Sequence, residues 1–523
     1  MTLRFLPLTP NSLLVELSDL DATLALFDAL THAALPGIAE LVPAARTLLV
    51  RTHPGTPANG TLAAAIAAQM PQVSLRSETA AEVLELPVTY DGADLSEVAA
   101  LMSLTTAEVI AAHQAALWTV AFCGFAPGFA YMTGSDPRFD LPRRASPRPR
   151  IPAGSVALAG RFCGIYPQAS PGGWQLIGTT PEPMWDLSRN PPALLRPGQR
   201  VRFVARTPTP RKPPPQPSAA PTGPSLHIRA TAFPVLVQDA GRPHQAALGL
   251  TASGALDLPA LRRANRALGN PPDSPALELT LGPTRISVDQ PATLALDGAA
   301  TQAAILTPTA RIAIDPARPF ALDPGEVLEI LPPTRGMRSY LALRGGFAVA
   351  PTLGSASTDT LAHLGPPPLT TGSALPLGHA KALAVDPTPR PAPHLPAPGE
   401  TVTLPVTLGP RADWFPPEML ALFLSQEWEV TPHCSRTGLR LSGAAPLTRD
   451  ARELPSEGTE RGAIQIPHSG QPVLFLADHP LTGGYPVIAT LLPEALPLAA
   501  QLPPGARIRF AAATPFAPIE PTP

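Results

Sequence analysis

Three sequence blocks recur in the same order in the two halves of the chain, and this repeat constrains the fold more than any other feature. The first half carries Gly154-Ser-Val-Ala-Leu158, Gly172-Gly-Trp-Gln-Leu-Ile-Gly-Thr179 and Pro197-Gly-Gln-Arg-Val-Arg-Phe203. The second carries Gly462-Ala-Ile-Gln-Ile466, Gly483-Gly-Tyr-Pro-Val-Ile-Ala-Thr490 and Pro504-Gly-Ala-Arg-Ile-Arg-Phe510. Each Pro-Gly makes a tight turn, and the alternating Arg-Val-Arg-Phe or Arg-Ile-Arg-Phe after it makes a half-buried strand. Two related β-rich halves follow, and duplicated domains that face each other share a cleft suited to a ligand.

With 523 residues the chain is too long for one core, so two to four domains are expected. The sharpest boundary is Thr207 to Pro224, a proline-rich extended linker. Before it, residues 1–85 read as a small α+β domain and 86–206 as a β-barrel or sandwich. After it come a β-rich subdomain at 225–384, a second proline-rich connector at 385–400 and a further β-rich subdomain at 401–520. Asp94-x-x-Glu97 and Thr105-x-x-Glu108 have capping-box spacing and predict two helix starts. A helix over Leu258–Leu268 is expected, capped by Asp257, with Pro259 in its first turn and Gly269-Asn270 as its stop.

Composition removes several function classes. A net charge of −2 and the lack of a basic stripe argue against nucleic acid as a partner. Apolar runs break well short of the roughly 20 residues of a membrane span, and the N-terminus lacks the pattern of a signal peptide. Cys123, Cys163 and Cys434 are widely separated and form no metal or disulfide motif. A cytoplasmic location is the expectation. The only lysines are Lys212 and Lys381, so there is no phosphate-binding Gly-x-x-x-x-Gly-Lys loop and no lysine context for attached biotin or a Schiff base. His53 and His468 lie in turns and His113 in a predicted helix, none with metal-ligand spacing to another histidine; no metal site is expected.

The densest motif cluster is Phe122-Cys-Gly-Phe-Ala-Pro-Gly-Phe-Ala-Tyr131, followed by Leu141-Pro-Arg-Arg144, Ser146-Pro-Arg148, Ile151-Pro-Ala-Gly-Ser155, Gly164-Ile-Tyr-Pro167 and Ser170-Pro-Gly-Gly-Trp174. From about Leu86 to Phe203 the chain resembles the allophanate hydrolase subunit 1 family, grouped with the B-type subunit of 5-oxoprolinase. The second half resembles the partner family, allophanate hydrolase subunit 2, grouped with the C-type subunit of 5-oxoprolinase. It does so through Val237-Gln-Asp-Ala-Gly-Arg242, Ser253-Gly-Ala-Leu-Asp257, Arg344-Gly-Gly-Phe347, Ser435-Arg-Thr-Gly438, Ser456-Glu-Gly458 and Thr482-Gly-Gly-Tyr-Pro486. The resemblance implies cyclophilin-like β-barrels in both halves, so the expected fold is mainly β with an α+β N-terminal domain. It also implies ATP as cosubstrate, with Mg left open, a separate A-type partner subunit and a small-molecule substrate. A departure stands at Val487, where the family has a lysine.

Opening a lactam with ATP requires donors for phosphate and carboxylate, a group to position water, and shelter from solvent. Asp239, Arg242, Glu457 and Gln465 are the candidates for catalysis. For Asp239 turn capping is the more common role, and Glu457 and Gln465 are equally loop hydrogen-bonders. Phe125, Pro127, Gly128, Arg143, Arg148, Ser155, Trp174, Arg436, His468 and Tyr485 are the candidates for substrate or nucleotide binding. The arginines suit anions because their planar fork meets two oxygens at once, and a structural ion pair is the competing role for each. The Gly124–Gly128 loop is a candidate for presenting backbone N–H groups to an anion. Three activities fit the resemblance: a fused B and C component of ATP-dependent 5-oxoprolinase, a biotin-dependent carboxyltransferase acting on urea or a related amide, and a non-enzymatic regulator of a sensor kinase. Fusion of the halves favours a permanent complex over an inhibitor and antagonist that must separate.

Overall fold

In a computed structural model, residues 3–70, 83–144, 146, 148–207, 223–300, 302–391, 393–449 and 452–522 are described. Most of the expected linker, 208–222, lies outside the described residues.

The repeat is a repeat of barrels. In the first half seven strands run in the order Gln175–Thr179, Ser155–Ala159, Phe162–Ile165, Ala130–Gly134, Trp118–Cys123, Arg200–Ala205 and Val83–Val88. A bridge between Thr89 and Thr179 brings the two ends together. In the second half the corresponding order is Val487–Leu491, Ala463–Gln465, Val473–Phe475, Gly438–Ser442, Trp428–Val430, Arg507–Ala512 and Thr401–Leu408, and this barrel is fully closed. In both, the Arg-x-Arg-Phe strand pairs parallel with the first strand of its barrel, whereas the other pairs are antiparallel.

Specific residues repeat as well as topology. Gly154 and Gly462 have φ of +85° and +90°, a left-handed turn that an L side chain resists. Their N–H groups donate to the carbonyls of Tyr166 and Phe475 at 2.7 and 2.9 Å. Inside each barrel a fully buried tryptophan donates its indole N–H to the carbonyl five residues earlier, Trp118 to His113 at 3.3 Å and Trp428 to Phe423 at 3.0 Å. Phe203 stacks on His113 at 4.5 Å between ring centroids, and Phe510 on Phe423 at 4.7 Å. His113 thus occupies the place of a phenylalanine. Burial pushes its pKa down to about 3, so it is neutral, with Nδ1 2.8 Å from the Tyr90 hydroxyl.

The N-terminal domain is an antiparallel sheet in the order Arg4–Thr9, Ser12–Glu16, Thr47–Thr52 and Ile38–Pro43, with the helices Leu20–Ala33 and Gly60–Ala67. Leu20 and Leu24 reach past it onto the outer face of the first barrel. The chain also ends there: Ile519 N–H donates to Phe5 O at 2.7 Å and Thr522 N–H to Gly60 O at 3.0 Å, so the tail after the second barrel packs on the first domain.

In the chain, the segment between the two barrels forms a six-stranded and a five-stranded sheet packed face to face over Leu226, Val237, Leu277, Ile286, Leu294 and Leu341. The helix Leu258–Ala267 covers the five-stranded sheet, and Asp257 caps it, accepting from Ala260 N–H at 3.0 Å. The Thr105 capping box forms with Glu108. The one expected at Asp94 does not: its side chain makes no cap hydrogen bond, because Arg148 and the Leu176 N–H take its carboxylate instead. Among the described residues no single helix is long and apolar enough to cross a membrane.

Candidate active site at the seam between the barrels

The two barrels carry matching outer faces, and loops beside those faces meet at a seam. On the first, alternate residues of strands that point away from the barrel core form an aromatic layer: Phe129 lies 5.0 Å from Tyr131, 5.4 Å from Tyr166 and 5.4 Å from Trp174 between centroids, and Phe125 lies 5.3 Å from Phe129. The same face of the second barrel carries Ala463, Phe475 and Val487. Gly164 sits beneath the aromatic layer, where an added Cβ would come within 3.0 Å of both Phe129 and Trp174.

The Gly124–Gly128 loop crosses the seam. Phe125 adopts φ +65°, and its N–H donates to Thr482 Oγ1 at 3.1 Å. Gly128 N–H donates to Leu248 O at 3.3 Å, while Gly124 and Ala126 N–H bond within the loop, to Phe129 O and Gly124 O. Pro127 has no N–H. The expected anion-binding amides are therefore all occupied, and the loop joins the halves instead.

Thr482 and Ser456 from the second barrel lie beside the Tyr131 hydroxyl. Arg143, from the first, projects toward Gly484, its Nη1 3.7 Å from where a Cβ on that glycine would stand. Burial pushes the pKa of Tyr131 and Tyr166 up, against the charge of Arg143, so both phenols are protonated. Of the expected binding residues, the structure brings Phe125, Arg143 and Trp174 together here. Tyr131, Tyr166, Ser456 and Thr482 were missed as site residues, although each lies in a motif already singled out. Their signal was position at the ends of Gly-rich strands, which the pseudo-symmetry places at one seam.

Other candidates are structural neighbours of this seam. Arg148 pairs with Asp94 at 2.7 and 2.8 Å, and Arg144 adds a third bond at 2.7 Å. Against the upward pull of burial, these contacts hold the Asp94 carboxyl below its ordinary range. Glu457 binds Arg411 through Nε at 3.0 and 3.1 Å and through Nη2, and Arg411 also meets Glu16 at 2.7 Å. These two pairs are equivalent with their signs exchanged. Asp94 and Arg411 N–H donate to the matching carbonyls of Leu176 and Val487, and Arg148 and Glu457 stand opposite Gly172 and Gly483 in matching two-stranded ribbons. Gln465 is buried and donates to Tyr485 O at 3.0 Å. Ser155 is buried at the start of its strand, paired with Thr179. His468 and Tyr485 are exposed, ring edge to face at 5.7 Å. Val487 is buried against Ala463 and Phe475.

Asp239, Arg242 and Arg436 were expected at a ligand, and the structure corrects that placement. Asp239 accepts from Ser355 and Ser357 hydroxyls at 2.6 and 2.5 Å and from the N–H groups of Gly241 and Ala356. Arg242, 1% exposed, donates to the carbonyls of Ser357 and Thr352. Arg436 binds Glu278 at 2.5 Å and Asp478 at 2.9 and 3.0 Å, tying the sandwich to the second barrel. Asp239 and Arg242 thus tie loops of the sandwich to one another, with Arg242 Nη1 buried 3.9 Å from Asp359 and without a hydrogen bond, and Arg436 alone of the three joins two domains. Among the described residues no group of three His, Cys, Asp or Glu side chains could hold a metal. A cavity of about 480 Å³ lies away from the seam, between the sandwich and Arg390, Pro391 and Pro393, where Arg390 Nε donates to Asp297 at 3.1 Å.

Residues 3–195 match the model for carboxyltransferase domain subdomains C and D, and residues 248–512 match that for subdomains A and B. The chain belongs to this carboxyltransferase-domain family. It is 35% identical over 286 residues to the C-type subunit of 5-oxoprolinase from Escherichia coli K12, covering 54% of this chain and 89% of that protein. It is 49% identical over 125 residues to the B-type subunit of 5-oxoprolinase from Bacillus subtilis 168, covering 23% of this chain and 52% of that one, so only about half of the latter is spanned. A crystal structure of TTHA0988 superposes with a TM-score of 0.82 at 35% identity, over 96% of this chain and 99% of the other. The Kluyveromyces lactis urea carboxylase superposes with a TM-score of 0.51 at 27% identity, over 57% of this chain and 28% of that one.

Proposed function

We propose that this chain is the fused B and C component of an ATP-dependent 5-oxoprolinase, opening 5-oxo-L-proline to L-glutamate in the cytoplasm together with a separate A-type subunit. One observation carries the reading: relatives of both components lie in tandem in a single chain, and their barrels meet at a seam built from loops of both. ATP, with Mg, would supply the activation by phosphorylating the lactam oxygen; one water would then add to the ring carbon and the C–N bond open to a γ-acyl phosphate, and a second water would release orthophosphate and leave the γ-carboxylate. This chain's part is to hold the ring against the aromatic layer, keep bulk water away and donate to oxygens at the seam. The Arg411–Glu457 and Asp94–Arg148 pairs fix the ribbons that carry Thr482 and Arg143's neighbours, as positioning groups.

A second reading, transfer of a carboxyl group from carboxybiotin on another protein to urea or a related amide, is favoured by the family match and the urea carboxylase likeness. In this reading biotin is carried by another protein, because neither Lys212 nor Lys381 has the sequence context that biotin attachment needs. The test mixes the purified chain with its A-type partner and ATP. Glutamate formed from 5-oxoproline only when both proteins are present supports the proposal. Carboxybiotin turnover dependent on urea, without glutamate, overturns it in favour of the second reading.

A further inference from the structure

We infer that Arg143, with the hydroxyls of Tyr131 and Tyr166, forms a subsite for the carboxylate of an acidic cyclic-amide substrate. The inference deepens the proposed lactam hydrolysis and rests on the seam being its reaction site.

The surrounding arginines have each been claimed. Arg148 and Arg144 hold Asp94, Arg411 holds Glu16 and Glu457, Arg436 holds Glu278 and Asp478, and Arg242 is tied to carbonyls. Arg143 differs: among the described residues it makes no ion pair and no hydrogen bond, and it stands exposed at the seam. Gly484 leaves it room, since a side chain there would approach its Nη1. Gly172 does the same for Tyr166, whose hydroxyl a Cβ at that position would strike.

Arg144 N–H donates to Gly173 O at 2.8 Å, which sets Arg143 beside the glycine that faces the Tyr166 hydroxyl, and Tyr131 packs on the same Phe129 as Tyr166, at 5.0 and 5.4 Å, with Thr482 and Ser456 bordering its hydroxyl from the other half. A positive charge with a planar fork thus stands near two protonated hydroxyls, while the flanking carboxylates Asp94 and Glu457 are neutralised by their own arginines. Such a set suits a carboxylate better than a neutral amide. The ring of the substrate would then lie against Phe125, the half-buried ring at the edge of the aromatic layer, 5.3 Å from Phe129. Urea has no group for this subsite, so its presence separates the two candidate substrates of the family fold.

The experiment compares wild type, Arg143→Gln, Arg143→Lys and Tyr166→Phe in the complex assembled with the A-type subunit and ATP. The expected result is a KM for 5-oxoproline raised roughly ten- to a hundredfold in Arg143→Gln, with kcat changed less than threefold and partial recovery in Arg143→Lys. Tyr166→Phe should give a smaller rise in KM. An unchanged KM in Arg143→Gln, with normal wild-type turnover, overturns the subsite while leaving the lactamase reading intact. Quenching of Trp174 fluorescence by 5-oxoproline in the full chain, with Trp174→Phe as control, decides the case if wild type shows no turnover. Saturable quenching lost in Arg143→Gln upholds the carboxylate subsite although the lactamase reading has failed. Quenching that is absent, or equal in both proteins, overturns the subsite.

Discussion

His113 and Phe423 show what one atom type changes at a shared position. Both rings pack between a tryptophan and a phenylalanine in a barrel core, yet the imidazole can gain a proton and the benzene ring cannot. His113 has a folded pKa of about 3, below its unfolded value, so protonation favours unfolding. Its contribution is complete above about pH 6.5 and is lost as pH falls toward 3, at about 1.4 kcal/mol per pH unit in that window. Replacing it as His113→Phe should flatten part of the acid slope of thermal stability, measured as melting temperature between pH 4 and 7. An unchanged slope would contradict a neutral buried histidine. At Gly462, the φ of +90° and the nearby Leu496 and Leu491 side chains lead to a similar prediction. Gly462→Ala should cost about 1–2 kcal/mol in urea unfolding, and no loss would contradict the turn.

The sequence marked the turn at Gly462 plainly, because a Pro-Gly or lone Gly before an alternating strand is a local signal. The partner of Asp94 was not legible in the same way. Asp94-x-x-Glu97 satisfies a local pattern, but Arg148 stands 54 residues away and is a stronger hydrogen-bond donor than a helix N–H. Asp239, Arg242 and Arg436 failed for a related reason. A charged residue in a Gly-rich loop has the same sequence whether the loop faces solvent or is clamped inside the protein.

At the scale of elements, the two ion pairs with exchanged signs are the most informative feature. Each anchors a two-stranded ribbon to the loop after the first strand of its barrel, so geometry is kept while charge is free to invert. A double-mutant cycle on Asp94→Asn and Arg148→Gln should give a coupling of about 1–3 kcal/mol, and a coupling near zero would show the pair to be incidental. Glu457→Gln should be more costly, about 3–5 kcal/mol, because Arg411 is then left buried with only Glu16. Chemical denaturation reads both. The pairing of ribbons could not be foreseen from the repeat, since the aligned blocks begin only after Arg148 and Glu457 and the charges themselves do not match.

For the molecule as a whole, the interfaces explain why fusion suits this architecture. The N-terminal domain binds the second barrel through Arg51 to Glu460 at 2.9 Å, Arg4 to Asp413 at 2.6 Å and Ala45 N–H to Ser456 O at 3.1 Å, and the C-terminal tail returns to it. Halves produced separately as 1–206 and 225–523 should therefore co-elute as a one-to-one complex on size exclusion, and independent elution would contradict these contacts. The barrel pair was legible in the repeat, whereas the sandwich between them in the chain was read only as β-rich, because its strands lack a counterpart in the other half. The most direct measurement is a crystal structure with 5-oxo-L-proline. The lactam is expected between Phe125, Arg143 and Thr482, touched by both barrels; ligand bound instead beside Asp297 and Arg390, or by one barrel alone, would contradict a composite site.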